Sequence, residues 1–117
     1  MAFKFEQLSV WQKALELSAQ VHEVTRKFPR EELFILTSQM KRAADSIALN
    51  IAEGSTGQTN AEFKQFLGYA LRSGIEVVAC LHIGKKRGIM GEPEFTRLHG
   101  AVEEIIKMTH GLRRSLR

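Results

Sequence analysis

Apolar residues return at steps of three and four along four separate stretches of this chain, and this spacing limits the possible folds more than any other feature. Such steps place side chains on one face of an α-helix, which completes a turn about every 3.6 residues. No stretch alternates apolar and polar residues as a half-buried strand would. The pattern therefore predicts helices alone. The clearest series consists of Phe95, Leu98, Val102, Ile105, Thr109, Leu112 and Leu116.

Prolines and glycines separate the four stretches. Pro29 stops the first predicted helix, and Gly54 is a favourable residue with which to end the second. Thr59 and Glu62 have the spacing of a capping box at the start of the third, and Pro93 suits the first position of the fourth. The predicted helices span about 6–28, 36–54, 59–86 and 93–116.

Short connections between helices of similar length make sequential neighbours antiparallel. We therefore predict an all-α, antiparallel, up-down-up-down four-helix bundle, with residues 1–117 forming one domain. The inward positions that we predict for the first helix are Leu8, Trp11, Leu15 and Ser18, followed by Val21 or His22 and by Thr25 or Phe28. Those of the second helix are Met40, Ala43, Ile47 and Ile51. Those of the third include Phe63, Phe66, Leu67, Ala70, Val77 and Leu81.

Cysteine content and hydropathy favour a cytoplasmic protein. The single Cys80 has no partner for an intramolecular disulfide and lies in an apolar run of the third predicted helix. The N-terminal residues lack the apolar stretch of a signal peptide, and no uninterrupted apolar run reaches the roughly 20 residues of a membrane span. We expect no membrane partner.

No residue pattern points to catalysis, a metal or a cofactor. Metal sites in four-helix bundles use Glu-x-x-His steps, which this chain lacks, and His99 with Glu103 would supply two ligands at most. The other histidines, His22, His82 and His110, show no pattern with a nucleophile and a carboxylate. We therefore predict a non-enzyme without catalytic residues, a metal site or a cofactor.

Basic residues are predicted to gather at both ends of the bundle. The chain has a formal net charge of +4. Antiparallel packing brings the ends of the first and third helices together and places the end of the fourth near Lys4. These cations either complement helix dipoles and aid solubility, or contact the phosphates of nucleic acid. The two groups are Arg26, Lys27 and Arg30 with Lys85, Lys86 and Arg87, and at the other end Arg113, Arg114 and Arg117.

Polar residues also fall within helices that should be largely packed. Asn50 lies beside the inner stripe of the second helix, and Arg42, Glu53 and Glu76 are placed to join it. We predict a structural polar network of these four residues, either buried or bridging subunits.

Several motifs follow one another in order along the chain. They are residues 8–14 (LSVWQKA), 36–44 (LTSQMKRAA) and 50–54 (NIAEG) with Glu62-Phe63, continuing through Ala70, Ser73 and Glu76. Together they resemble the bacterial four-helix bundle proteins associated with intervening sequences of 23S ribosomal RNA genes. The departures from the family pattern are Ala48, where a proline is usual, and Arg72 and Gly74 around Ser73.

The resemblance implies a homo-oligomer, specifically a ring of five. Val10, Leu17 and Ile106 fall off the predicted core stripes and are our candidates for the subunit contact. The family is also similar in fold to the accessory protein of diversity-generating retroelements, a basic pentamer that associates with a reverse transcriptase and its RNA.

Two functions remain open at this point. The first is a non-catalytic homo-oligomer that binds RNA or DNA through its basic ends, as an accessory to a nucleic-acid process or enzyme. The alternative is a protein interaction or structural assembly module with no nucleic-acid partner.

Overall fold

The computed structural model describes residues 3–117, and these form four α-helices in an up-down-up-down bundle. The helices are α1 (Ser9–Thr25), α2 (Ser38–Ser55), α3 (Asn60–Lys86) and α4 (Glu92–Ser115). Each packs against its sequence neighbours, and α1 also packs against α4, which closes the bundle. The molecule measures 44 × 24 × 20 Å, so its long axis is set by the longest helix. The predicted fold class is confirmed.

Short helical turns occupy two places where the sequence predicted continuous α-helix or loop. A 3₁₀ turn at Lys4–Gln7 precedes α1, and a second at Arg30–Glu32 follows Pro29. A π-helical turn at Leu33–Thr37 leads directly into α2. These turns shorten α1 at both ends relative to the predicted 6–28.

The helix ends are closed by local hydrogen bonds. The Thr59 hydroxyl accepts the amide of Glu62 at 3.1 Å, as predicted, but the Glu62 carboxylate accepts the amide of Gln58 and not that of Thr59. The end of α3 is a Schellman motif, in which Gly88 has a φ of 75° and the Ile89 amide donates to the Gly84 carbonyl at 3.1 Å.

The core side of the first half of α1 differs from the prediction, whereas Val21, Thr25 and Phe28, named among the predicted alternatives further along, are buried. Leu15 is half exposed and Trp11 half buried, whereas Ala14 and Leu17 are buried. Two apolar stripes run along α1, and the one built from smaller residues faces the core. That stripe consists of Val10, Ala14, Leu17, Val21 and Val24. The stripes predicted for α2 and α4 are confirmed at Met40, Ala43, Ile47 and Ile51, and at Leu98, Val102, Ile105 and Thr109.

Glycines allow close approach where α3 meets its neighbours. A Cβ on Gly74 would lie 3.1 Å from Ile106 on α4, and one on Gly54 would lie 2.6 Å from the Cβ of Phe66 on α3. Ile106 is half buried against α3.

By length and composition α3 is apolar enough to cross a membrane. A core helix of a soluble protein satisfies the same test. Here α3 packs against both α2 and α4, and its apolar residues serve these two contacts. Arg72 and Glu76 lie exposed near its middle.

Candidate nucleic-acid interface and subunit surfaces

The basic residues at the ends of α1 and α3 lie at the same end of the bundle, as the topology predicted. Half of the six cations are in ion pairs, so acidic neighbours offset much of this charge. The strongest contact joins the Arg87 guanidinium to both carboxylate oxygens of Glu32, at 2.9 and 3.1 Å. The ion pairs are Arg87–Glu32, Lys85–Glu92 and Arg26–Glu23.

A second group of cations lies at the opposite end of the bundle. Arg113 Nε donates to the Lys64 carbonyl at 3.1 Å, which joins the end of α4 to the start of α3. Lys4 Nζ lies 5.6 Å from the centre of the Phe63 ring, beside Lys64 in the chain. Within residues 3–117 none of these cations has a carboxylate oxygen within 4.0 Å. We call the group the C-terminal basic cluster: Lys4, Lys64, Arg113, Arg114 and Arg117.

Lys64 was missed by the sequence reasoning. It lies at the start of α3 and not in a basic run, so only the antiparallel pairing of α3 with α4 could have indicated it. Its carbonyl accepts a hydrogen bond from the Arg113 side chain, and Lys64 itself is half buried.

The four residues of the predicted polar network lie along the outer side of α2 and α3. Arg42 and Glu76 line a groove of about 550 Å³ between these helices. Glu76 accepts a hydrogen bond from Gln39 at 3.2 Å. No hydrogen bond joins the four residues to one another in the described part of the chain. Arg42, Glu53 and Glu76 are exposed, and a network that bridges subunits stays a prediction.

Asn50 takes part in a local serine contact in that groove. Its side-chain amide donates to the carbonyl and the hydroxyl of Ser46, each at 2.9 Å. The Ser73 hydroxyl on α3 donates to the Ser46 hydroxyl at 2.8 Å. Asn50 therefore helps to orient a polar contact between α2 and α3, although it makes no direct contact across the helices.

A serine, a histidine and an aspartate meet between α1 and α2, which the sequence reasoning also missed. Ser18 donates to Asp45, and His22 Nε2 lies 3.3 and 3.4 Å from the two Asp45 carboxylate oxygens. In a catalytic triad the histidine lies between the serine and the carboxylate. Here the carboxylate contacts both, so the serine has no base. The i, i+4 spacing of Ser18 and His22 was the available signal.

An apolar surface lies between α1 and α2 at the end that carries the C-terminal basic cluster. Leu15 is 50% exposed and Leu49 is 65% exposed. Phe5 and Trp11 meet edge to face at 4.9 Å beside them. Two adjoining hollows of about 390 and 340 Å³ share Phe5 and Leu49. We call this surface the apolar hollow: Phe3, Phe5, Trp11, Leu15 and Leu49.

A second exposed apolar feature lies at the start of α2. Phe34 and Ile35, on the π-helical turn, are 88% and 58% exposed. Both border the groove that contains Arg42. We call these two residues the Phe34 knob.

The residues predicted to form the subunit contact are placed elsewhere. Val10 and Leu17 are 4% and 1% exposed, because they belong to the core stripe of α1. Ile106 packs on the α3 backbone at Gly74. The prediction that these three form a surface for another subunit is wrong in this structure, since their side chains already have partners within the bundle.

The geometry agrees with the comparisons to known proteins. No curated protein sequence matches the chain. A crystal structure at 1.70 Å of a protein of unknown function, from the S23 ribosomal protein family of Bacteroides thetaiotaomicron VPI-5482, superposes with a TM-score of 0.81. The two are 21% identical, and the match covers 89% of this chain and 97% of that one, which establishes a shared fold. The model of the family described as 23S rRNA-intervening sequence protein matches residues 6–111, and the chain belongs to that family.

Proposed function

We propose that this protein is a non-catalytic homo-oligomer that binds RNA or DNA through phosphate contacts made by the C-terminal basic cluster. The observation that carries this proposal is a set of five cations at one end of the bundle without a carboxylate partner. Unpaired arginines and lysines release counterions from a nucleic-acid backbone when they bind it. Such contacts position the nucleic acid without reading its sequence.

Self-association would multiply a modest charge. One copy offers five cations, and an assembly of several copies would carry several such clusters on one particle. The dependence of affinity on salt steepens with each phosphate contacted, by about 0.9 in logarithmic slope for a duplex and about 0.7 for a single strand. The apolar hollow and the Phe34 knob support self-association, because exposed apolar patches commonly mark protein contacts.

Structured RNA is the first probe to use, because the family's name refers to 23S rRNA. Fluorescence anisotropy of a labelled hairpin RNA, repeated with a duplex DNA at several salt concentrations, measures affinity and slope together. The test variant carries Arg114→Gln and Arg117→Gln, and the matched control carries Lys27→Gln and Arg30→Gln at the other end. Both variants lose two positive charges.

We expect the wild type to bind RNA with a steep salt dependence. The Arg114/Arg117 variant should lose about tenfold or more in affinity at low salt and show a shallower slope, whereas the control should change little. Equal losses in both variants would show that net charge alone matters. No binding at low ionic strength would reject the nucleic-acid function and favour a protein assembly module.

A further inference from the structure

We propose that the Phe34 knob of one copy inserts into the apolar hollow of a second copy of this chain. This inference rests on the self-association in the proposed function and names the surfaces that carry it. Phe34 is the most exposed of the large apolar side chains in the described residues, and Leu49 in the hollow follows it. Within residues 3–117 no other part of the same chain covers either surface.

Phe34 cannot reach the apolar hollow of its own chain. Phe34 precedes α2, and Leu49 lies fifteen residues further along the same helical path, a separation of roughly 22 Å at about 1.5 Å per residue. The knob borders the α3 side of α2, while the hollow lies on the α1 side. Contact between the two therefore requires two molecules.

The hollow has room for the knob. An apolar cavity of about 150 Å³ is large enough to hold a benzene molecule. The larger part of the hollow has a volume of about 390 Å³ and is bordered by Trp11, Leu15, Ala48 and Leu49. The Phe34 ring can enter this space, with Ile35 covering its edge.

Charged residues of opposite sign border the two surfaces, although Glu76 also lines the groove beside the knob and Asp45 already contacts His22. Asp45 and Glu53 lie beside the hollow. Arg42 lies beside the knob, in the groove that Phe34 and Ile35 border. Neither Arg42 nor Glu53 has an ion-pair partner in residues 3–117. When the knob enters the hollow, Arg42 of one copy approaches Glu53 of the other, and each charge gains a partner.

The knob and the hollow are different surfaces of one protomer. The knob of one copy can therefore insert into one neighbour, while the hollow of that copy holds the knob of another. Repetition of such a contact closes into a ring when the rotation between copies permits it. The same contact places two of the four predicted network residues, Arg42 and Glu53, across a subunit boundary.

The experiment is light scattering on the full chain with matched exposed substitutions. Phe34→Asp disrupts the knob and Leu49→Asp disrupts the hollow. The control is Ile75→Asp, an equally exposed apolar residue on α3 outside both surfaces. We expect the wild type and the control to have a mass that is a multiple of 13.2 kDa, and each test variant to fall to 13.2 kDa. Circular dichroism and a cooperative thermal transition establish that every variant is folded.

A charge exchange tests the orientation of the contact. Arg42→Glu and Glu53→Arg should each dissociate the assembly, and the double variant in one chain should recover it. A monomeric wild type, an unchanged mass for Phe34→Asp, or no recovery in the double variant would overturn the proposal. RNA anisotropy on the same samples separates the two proposals: an assembly that binds RNA but withstands Phe34→Asp refutes only this contact.

Discussion

The two apolar stripes of α1 allow a prediction with an internal control. Leu17 is 1% exposed and Leu15 is 50% exposed, and both lie in the same helix two residues apart. Replacing either with alanine removes the same atoms and changes helix propensity by the same small amount. The two variants therefore differ only in what the leucine side chain contacts.

The two substitutions are expected to lower the free energy of unfolding by amounts that differ severalfold. Leu17→Ala leaves a cavity between α1 and the rest of the core, where comparable substitutions destabilise by about 3–5 kcal/mol. Leu15 has half of its side chain in water, so its replacement should cost less than about 1 kcal/mol. For a domain of this size, each kcal/mol corresponds to about 4 °C in Tm. We expect Leu17→Ala to lower Tm by at least about 10 °C and Leu15→Ala by a few degrees.

Urea and thermal denaturation, followed by circular dichroism, measure both values. Both substitutions are made in the Phe34→Asp variant, because the proposed subunit contact would bury Leu15 and add to the apparent stability. If Leu15→Ala destabilises as much as Leu17→Ala, then α1 packs with its Leu8, Trp11 and Leu15 stripe inward. That result would refute the packing described above and remove the apolar hollow with it.

Three further predictions concern the fold around the proposed surfaces. Gly54→Ala should destabilise by about 1–3 kcal/mol in urea titration, because its Cβ would overlap Phe66, whereas Gly100→Ala, with open space around it, should stabilise by up to about 1 kcal/mol. Thr59→Ala should cost about 1 kcal/mol in the same assay, because α3 loses its N-cap. Burial, and secondarily the charge of Glu76, raises the pKa of the Cys80 thiol, so native protein should react slowly with thiol reagents. Since only the unfolded thiol then ionises above about pH 8.5, stability should fall as pH rises past that value, and Cys80→Ala should abolish this part of the decline in urea titrations.

The sequence predicted α2 and α4 well because each has one dominant apolar face. In α4 the buried residues are Leu98, Val102, Ile105 and Thr109, all members of the predicted stripe. Charged residues such as Lys41, Arg42 and Glu53 on the other faces of α2 left Met40, Ile47 and Ile51 as the clear inward positions. Where a helix offers one apolar face, periodicity alone determines the packing.

α1 offers two apolar faces, and periodicity cannot choose between them. The spacing of Leu8, Trp11 and Leu15 fits a helical face as well as that of Val10, Ala14 and Leu17 does, and the first of these two faces was chosen. In the bundle, Ala14 has no exposed surface, which shows how closely α1 approaches its neighbours there. Spacing along one helix contains no information on that distance, because it depends on the side chains of the facing helices.

The candidate sites were also predicted only in part from the sequence. Basic runs at helix ends could be located from sequence because topology alone brings them together. Which of them are neutralised depended on single contacts such as Arg87 with Glu32, and no linear pattern predicts these. Lys64 belongs to the C-terminal basic cluster only because α3 packs against α4.

The second apolar stripe of α1 explains why the protein has an exposed apolar surface although its core is complete. When a helix has two apolar stripes, one packs in the core and the other is exposed to solvent. Leu15 and Trp11 then lie beside Leu49 on α2, although none of the three is needed to close the bundle. Burial of such a surface against another molecule is favourable in proportion to the apolar area removed from water. The self-association that we propose therefore uses the same residues that made the first helix ambiguous, and the Leu15 and Leu49 variants test both the packing of α1 and the proposed contact.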